Sequence, residues 1–308
     1  MNTAVLLRAF SLLIVILLGF LLKQAGLFRQ SDFTVLSRIV LKVTLPCAVI
    51  CNMNGADIDI SMLGITVLGL LSGVILIACG VFLGRRDDSR RRAFKVLNVS
   101  GFNIGNFAMP FVQAVMGTAG LVATSLFDVG NSVWCLGGAY SAAELIKYRD
   151  QQKSIGASAA RIGKTMVKSV PFVCYVSMTV LSLMHLSLPE SVISVVRIGA
   201  NANPFLSMFM LGVAFQLGAV RDRAGEIFPL LGMRFAAAFA MSLSCYFLLP
   251  FSLEIRQALA VITLAPIGTA IPPFTAELKE DYGLSGTINS LSVLISIILI
   301  PAALLIFS

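Results

Sequence analysis

Three ionisable side chains lie deep inside apolar sequence: Asp128, Lys42 and Arg234. Charge far from water is costly, so such residues are functional candidates by default. A desolvated carboxyl can take up and release a proton. Asp128, in Phe127-Asp128-Val129-Gly130-Asn131, is placed to carry a coupling proton, with Asn131 beside it. Lys42 could hold a substrate carboxylate, and Arg234 could assist an anion. A second reading stands beside this one, in which Lys42 and Asp128 pair with each other, or with backbone, as a structural bridge. Asn103, Asn106, Thr269 and Asn131 are the polar groups expected around the same site. Asn103 and Asn106 either touch substrate or satisfy freed backbone.

These residue types do not assemble an enzyme. An intramembrane protease would need paired aspartates, a serine–histidine dyad or an HExxH zinc site. Only one aspartate lies deep in a span, the single histidine is His185 near a span boundary, and no HExxH occurs. Cys47, Cys51, Cys79, Cys135, Cys174 and Cys245 form no CxxC pair and read as packing residues, with no metal and no cofactor. No Walker motif is present, which argues against ATP-driven pumping.

The elements that carry the candidates must live in lipid. Of 308 residues, 57% are hydrophobic and 12% charged, too little charge to cover a soluble core. An apolar helix needs roughly 20 residues to cross a bilayer. Ten segments meet this: Ala4–Leu22, Phe33–Met53, Met62–Leu83, Ala93–Met116, Leu121–Ile146, Met166–Leu186, Val192–Val220, Glu226–Leu249, Arg256–Leu278 and Leu284–Phe307. The first lacks a small-residue cleavage site and reads as a retained helix. The one long polar connection, within 147–165, divides the chain into a first unit at 1–146 and a second at 166–308.

The net charge of +8 resolves into an orientation. Of 23 lysines and arginines, 17 fall at or near connections after odd-numbered spans, and Arg8, Arg197 and Arg256 fall on the other side. Arg38, Lys42 and Arg234 lie inside spans. Basic residues stay cytoplasmic, so both termini are expected outside and the linker inside. The basic runs are then topology signals and contacts to anionic lipid, not a nucleic-acid site.

The two halves repeat. Ile104-Gly105, Pro110-Phe111, Gly120-Leu121 and Thr124 are matched by Ile267-Gly268, Pro273-Phe274, Gly283-Leu284 and Thr287, every pair 163 positions apart. Pro46 and Pro204 also occur mid-span in spans 2 and 7. Five spans per copy is an odd number, so the second copy enters the membrane inverted, as in secondary transporters. Glycine and proline together weaken a helix. Unwound backbone at membrane depth is tolerated only where it is buried or lines a wet cavity. Spans 4 and 9 are therefore expected to break, with Pro110 and Pro273 each opening a half-helix near the midplane. Two half-helix N-termini converging there would favour a small anion.

These motifs resemble the auxin efflux carrier family of secondary transporters, which includes bacterial malate and malonate permeases. The resemblance rests on Leu36-Ser37-Arg38 leading to Leu45-Pro46, on Asn103, Gly105 and Pro110, and on Gly117 and Gly120-Leu121. It continues with Pro204, Leu211-Gly212, Ala265-Pro266 and Tyr282-Gly283. It implies an all-α polytopic membrane protein with ten transmembrane helices in two inverted five-helix repeats. It also implies broken, crossing helices 4 and 9, and a transport domain of spans 3–5 and 8–10 moving against a scaffold of spans 1, 2, 6 and 7, commonly in a homodimer. The scheme is similar to that of the bile-acid/sodium symporters. Thr269 stands where the family often has asparagine, and the long cytoplasmic loop of plant members is absent. The first departure weighs against carrying over a particular substrate, and the absent loop favours a carrier of a bacterial inner membrane.

The expected function is secondary active transport of a small organic anion, a mono- or dicarboxylate, by alternating access. Coupling to protons or to the potential is expected ahead of sodium. The alternatives are a sodium-coupled symporter of a bulkier anion and a membrane sensor. The expected substrate-binding set is Asn103, Gly105, Asn106, Pro110, Gly268, Thr269, Pro273, Lys42 and Arg234, with Asp128 and Asn131 for the coupling proton.

Overall fold

The computed structural model describes residues 2–148, 155–215 and 220–307. Among them every regular element is helical. Residues 149–154, in the expected linker, and 216–219, at the end of the expected seventh span, lie outside the described residues.

The first half runs α1 (Asn2–Gln24), α2 (Asp32–Ile39), α3 (Leu45–Met53), α4 (Leu63–Leu83), α5 (Ser89–Val99), α6 (Met109–Val115), α7 (Thr118–Val133) and α8 (Ala139–Lys147). The second runs α9 (Ile155–Lys168), α10 (Val170–Leu183), α11 (Glu190–Ala214), α12 (Ala224–Leu248), α13 (Leu253–Ile262), α14 (Ile271–Glu277) and α15 (Tyr282–Phe307). Five helical stretches are long and apolar enough to cross a membrane, and a sixth if the bent pair of α9 and α10 is one span. Two of the ten expected spans fail that test because they are interrupted: α5 and α6 are separate helices, as are α13 and α14. Another, α11, has full length but carries Glu190, Arg197, Asn201 and Asn203.

Proline shapes the first half in a consistent way. Wide π-turns at Val40–Thr44 and Ile104–Ala108 each end two residues before a proline, Pro46 and Pro110. A proline inside a helix has no N–H to donate and crowds the carbonyl four residues back. Widening the preceding turn accommodates both effects, and such π-bulges are frequent at functional sites. Pro204, by contrast, sits within an unbroken α11.

The linker differs from expectation. Residues Ile155–Lys168 form helix α9, bent 78° from α10. Ala157, Ala159 and Ala160 favour helix, while Ser158, Ile162 and Met166 recur every fourth residue and give α9 one partly covered face. Ser169 is extended and Pro171 occupies the first turn of α10, which sets the bend.

Backbones touch where glycines face each other. A Cβ on Gly19 would lie 2.4 Å from the Phe209 carbonyl oxygen, and one on Gly212 2.1 Å from that of Ile16, so α1 and α11 are in backbone contact. The α4–α7 pair is the same: a Cβ on Gly69 would lie 2.1 Å from the Phe127 carbonyl oxygen and one on Gly130 2.0 Å from that of Thr66. Lipid gives helices little hydrophobic reason to associate, so close packing of small residues takes that role. Gly130→Ala should therefore lower stability by about 1–3 kcal/mol through overpacking. Gly232→Ala, whose new Cβ meets nothing within 4 Å, should be neutral or slightly stabilising. Thermal unfolding midpoints of the two detergent-solubilised variants check this, and equal midpoints would refute it.

Candidate functional site

Unwinding frees backbone groups, and each break must find partners for them. In the first break, after α5, Ser100 is extended and Gly101 takes φ 73°, a left-handed conformation suited to glycine. Asn131 of α7 clamps the next residue from both sides: the Phe102 N–H donates to Asn131 Oδ1 at 3.0 Å, and Asn131 Nδ2 donates to the Phe102 carbonyl at 2.8 Å. In the second break, between α13 and α14, the holding groups come from α15. Ser292 Oγ accepts from the Ile267 N–H at 3.1 Å and Ser296 Oγ donates to the Leu264 carbonyl at 2.8 Å. Asn289 Nδ2 donates to the carbonyls of Ile267 and Gly268. The two breaks then meet directly, the Asn103 N–H donating to the Pro266 carbonyl at 2.9 Å.

Arg234 reaches this junction from α12, fully buried. Its Nη1 donates to the Val99 carbonyl at 2.6 Å and its Nη2 to the Ala265 carbonyl at 3.1 Å, with the guanidinium 4.7 Å from the centre of the Phe102 ring. One side chain thus satisfies a carbonyl at the end of α5 and another at the start of the second break. A rigid fork of donors suits that task better than a flexible ammonium.

A cavity of about 130 Å³ lies where the breaks meet. Asn103, Gly105 and Asn106 line it from the first break, Gly268 and Thr269 from the second, and Asp128 and Asn131 from α7. Seven of the eleven expected site residues are therefore brought together. Asp128 Oδ1 accepts from Asn131 Nδ2 at 2.8 Å, and Oδ2 accepts from the Tyr175 hydroxyl at 2.9 Å. Gly105 allows this closeness: a Cβ there would meet Leu45 Cδ2 at 2.7 Å and Asp128 Oδ2 at 3.4 Å. Two amide atoms on the cavity wall, Asn103 Nδ2 and Asn106 Oδ1, are buried without a hydrogen-bond partner, on residues only 5% exposed. A buried polar atom left unpaired costs about 1–3 kcal/mol, so a donor and an acceptor both unpaired on residues of one cavity call for an explanation, such as a ligand or water.

Four expected residues are not on this cavity. Lys42 is exposed: Leu41 and Leu45 line the cavity, and Lys42, one residue on in the π-turn, does not. The bridge to Asp128 is not formed, and Asn131 and Tyr175 hold that carboxylate instead. Arg234 lies behind Phe102, committed to backbone carbonyls. Pro110 lines a separate cavity of about 380 Å³ with Asn52, Gln113 and Arg197. Pro273 is exposed, and the α14 N-terminus offers few donors. The Ile271 N–H is taken by the Gly268 carbonyl, and Pro272 and Pro273 have none to give. First-turn N–H groups without an intrahelical acceptor come from the other break, at Ile104–Asn106.

Sequence reasoning missed Tyr175, Asn289, Ser292 and Ser296. The last three recur at helical spacing along one face of α15, and that polar stripe in a helix of apolar residues was the available signal.

Apolar helices surrounding two interrupted ones that share a cavity with a few polar side chains are those of an integral membrane protein. Residues 4–169, over half of the chain, match the family described as Membrane transport protein, and the chain belongs to that auxin efflux carrier-like family. It is also similar to a protein named "Uncharacterized transporter" from Methanothermobacter thermautotrophicus, at 25% identity over 127 residues. That match spans 40% of this chain and 42% of the relative.

The Arg234 contacts make a prediction that separates its two roles. Arg234→Leu leaves two buried carbonyls unpaired and should lower stability by roughly 2–5 kcal/mol. A variant with an unchanged unfolding midpoint but no transport would assign Arg234 to substrate instead.

Proposed function

We propose that this protein is a proton-coupled secondary transporter of a small, singly charged organic anion. The observation that carries the reading is the open amide pair, Asn103 Nδ2 and Asn106 Oδ1, on a small cavity beside Asp128. Donor, acceptor and first-turn N–H groups match a carboxylate with a neighbouring hydroxyl or carbonyl group.

Charge narrows the substrate class. Among the described residues, no lysine, arginine or histidine lines the cavity, and Asp128 does. A dicarboxylate would enter with two negative charges against a third and no cation to offset them. Even one anion is repelled by an ionised Asp128 on the wall of so small a cavity. A protonated Asp128 removes the repulsion, so anion and proton are favoured together. This gives electroneutral symport its physical basis. The cavity is also smaller than the roughly 300–1,000 Å³ of sites for drug-sized ligands, which disfavours the bulkier sodium-coupled alternative.

Alternating access on ten spans in two inverted repeats belongs to the same proposal. It draws support from the bond between Asn103 and Pro266, which are themselves 163 positions apart. It draws more from Thr124 Oγ1 donating to the Gly120 carbonyl at 2.8 Å and Thr287 Oγ1 to the Gly283 carbonyl at 3.0 Å, the same bond at matched positions. In this scheme spans 3–5 and 8–10 carry the site against spans 1, 2, 6 and 7, and the exposed leucines and isoleucines of α1 face lipid or a second copy.

Purified protein in proteoliposomes should take up labelled pyruvate or lactate when the lumen is alkaline, and malonate far less. Replacing Asn103 and Asn106 together by alanine should reduce that uptake at least about tenfold, since each loses a charge-assisted contact. Uptake unaffected by the double substitution would eliminate the site.

A further inference from the structure

Tyr175, which helps hold the Asp128 carboxylate, makes the one hydrogen bond to that side chain from another span among the described residues. Its ring is 1% exposed on α10, and its hydroxyl donates to Asp128 Oδ2 at 2.9 Å. In the proposed scheme α10 belongs to the scaffold and α7 to the moving part. The bond therefore ties the two parts together at the cavity. It lies beside Ser169 and Pro171 of the α10 entrance, on the side that the charge distribution makes cytoplasmic.

The two oxygens of Asp128 are not equivalent. Oδ1 receives an N–H of Asn131, whose amide is committed on both atoms to Phe102. An amide nitrogen cannot accept, so a proton placed on Oδ1 would face a donor. Oδ2 faces a hydroxyl, which can either donate or accept. An incoming proton therefore goes to Oδ2. The new O–H donates to the Tyr175 oxygen, and the tyrosine O–H must turn away to another acceptor. A charge-assisted bond is replaced by a neutral one, roughly half as strong. No other covalent bond changes, and the proton returns to water when Asp128 ionises again.

We propose that Tyr175 is a latch that reads the protonation of Asp128: it holds α10 against α7 while the carboxylate is charged and loosens when the proton arrives, opening the cytoplasmic side of the cavity. Other ionisable groups near Asp128 are few. Cys135 follows it on the same helical run, Cys174 neighbours Tyr175 on α10, and Cys47 of α3 lies near Cys174. Arg234 of α12 lies behind Phe102. Glu254 approaches α7 only at its far end, beside Gly117 and Gly120. None of these donates a hydrogen bond to Oδ2 among the described contacts, which leaves Tyr175 as the group that must respond. The proposal rests on the proton-coupled reading of Asp128. In that role Tyr175 is a positioning residue acting through the carboxylate.

The native protein carries a reporter on each cavity: Cys135 lines the small one and Cys51 the larger one on the other side of the junction. Inside-out vesicles treated with a small methanethiosulfonate, with peptide mass spectrometry as readout, give the ratio of Cys135 to Cys51 labelling. The ratio cancels the general effect of pH on thiol chemistry, and Tyr175→Phe, which leaves the Asp128 charge in place beside Cys135, separates opening from the local field of that charge. Near neutral pH, Tyr175→Phe should raise it roughly tenfold, the population change that loss of one bond to a charged group permits. Wild type should approach the same ratio on acidification, while Tyr175→Phe responds little to pH. Asp128→Asn, which keeps the shape but not the charge, should be raised as well and serves if Tyr175→Phe does not fold. A wild-type ratio that ignores pH, or either variant retaining the low wild-type ratio, would overturn the latch. Absent pyruvate uptake alongside a pH-responsive, Tyr175-dependent ratio would instead sink the substrate assignment and support the latch.

Discussion

The structure depends on one constraint: peptide groups freed from a helix inside lipid have no water to turn to. Two interrupted helices create that problem twice, and the surrounding helices answer it with specific side chains. Asn131 takes both polar groups of Phe102, Asn289, Ser292 and Ser296 take those of Leu264, Ile267 and Gly268, and Arg234 bridges Val99 and Ala265. The last demand is met by the breaks themselves, through Asn103 and Pro266. Arg234 Nε is left without a partner in that arrangement, and so are Asn103 Nδ2 and Asn106 Oδ1, which belong to residues lining the cavity.

The same accounting reassigns the cations. A positive charge at membrane depth invites an anion, and Arg234 looks like a receptor for one when only its depth is known. Its actual partners are carbonyl oxygens, whose partial negative charge it neutralises without competition from a carboxylate. Among the described residues the cavity is lined by Asp128 and by no lysine, arginine or histidine, and on that asymmetry the proposed joint entry of anion and proton rests. Surfaces beyond the cavity follow different rules. Between the ends of α5, α8 and α14, Glu280 joins Arg90 and Lys147, each within 2.8 Å, and Arg90 is accordingly held well into its charged form by that carboxylate. The pair with exposed Arg90 contributes little energy, whereas Lys147 and Glu280 are both largely buried and Lys147 also donates to the Leu278 carbonyl.

Much of this could be read in the chain. Glycine and proline at matched spacing marked both interruptions, because few other residues have so direct an effect on backbone geometry. Asp128 and Asn131 were visible as polar residues in an apolar run, and Asn103 and Asn106 as neighbours of a break. The misplaced residues share a cause. Depth along a span can be counted, but the face a residue takes depends on local winding, and the π-turn at Val40–Thr44 lies where Lys42 does. Pro273 was read as a helix opener, whereas Ile271 begins α14 and the prolines remove its donors. Tyr175 gave no signal at all, since a tyrosine in an apolar helix is ordinary until its hydroxyl is seen to meet a carboxylate. Helix α9 was hidden by its polarity, its apolar positions being too few to read as more than a linker.

The central claim is that the cavity takes one anion and one proton together. The most direct measurement follows charge and protons at once: a pyruvate concentration jump over protein adsorbed on a solid-supported membrane, paired with an internal pH dye in the same liposomes. The account predicts that the lumen acidifies in step with pyruvate entry and that no sustained transport current flows. A sustained current carried by pyruvate without lumenal acidification would contradict it.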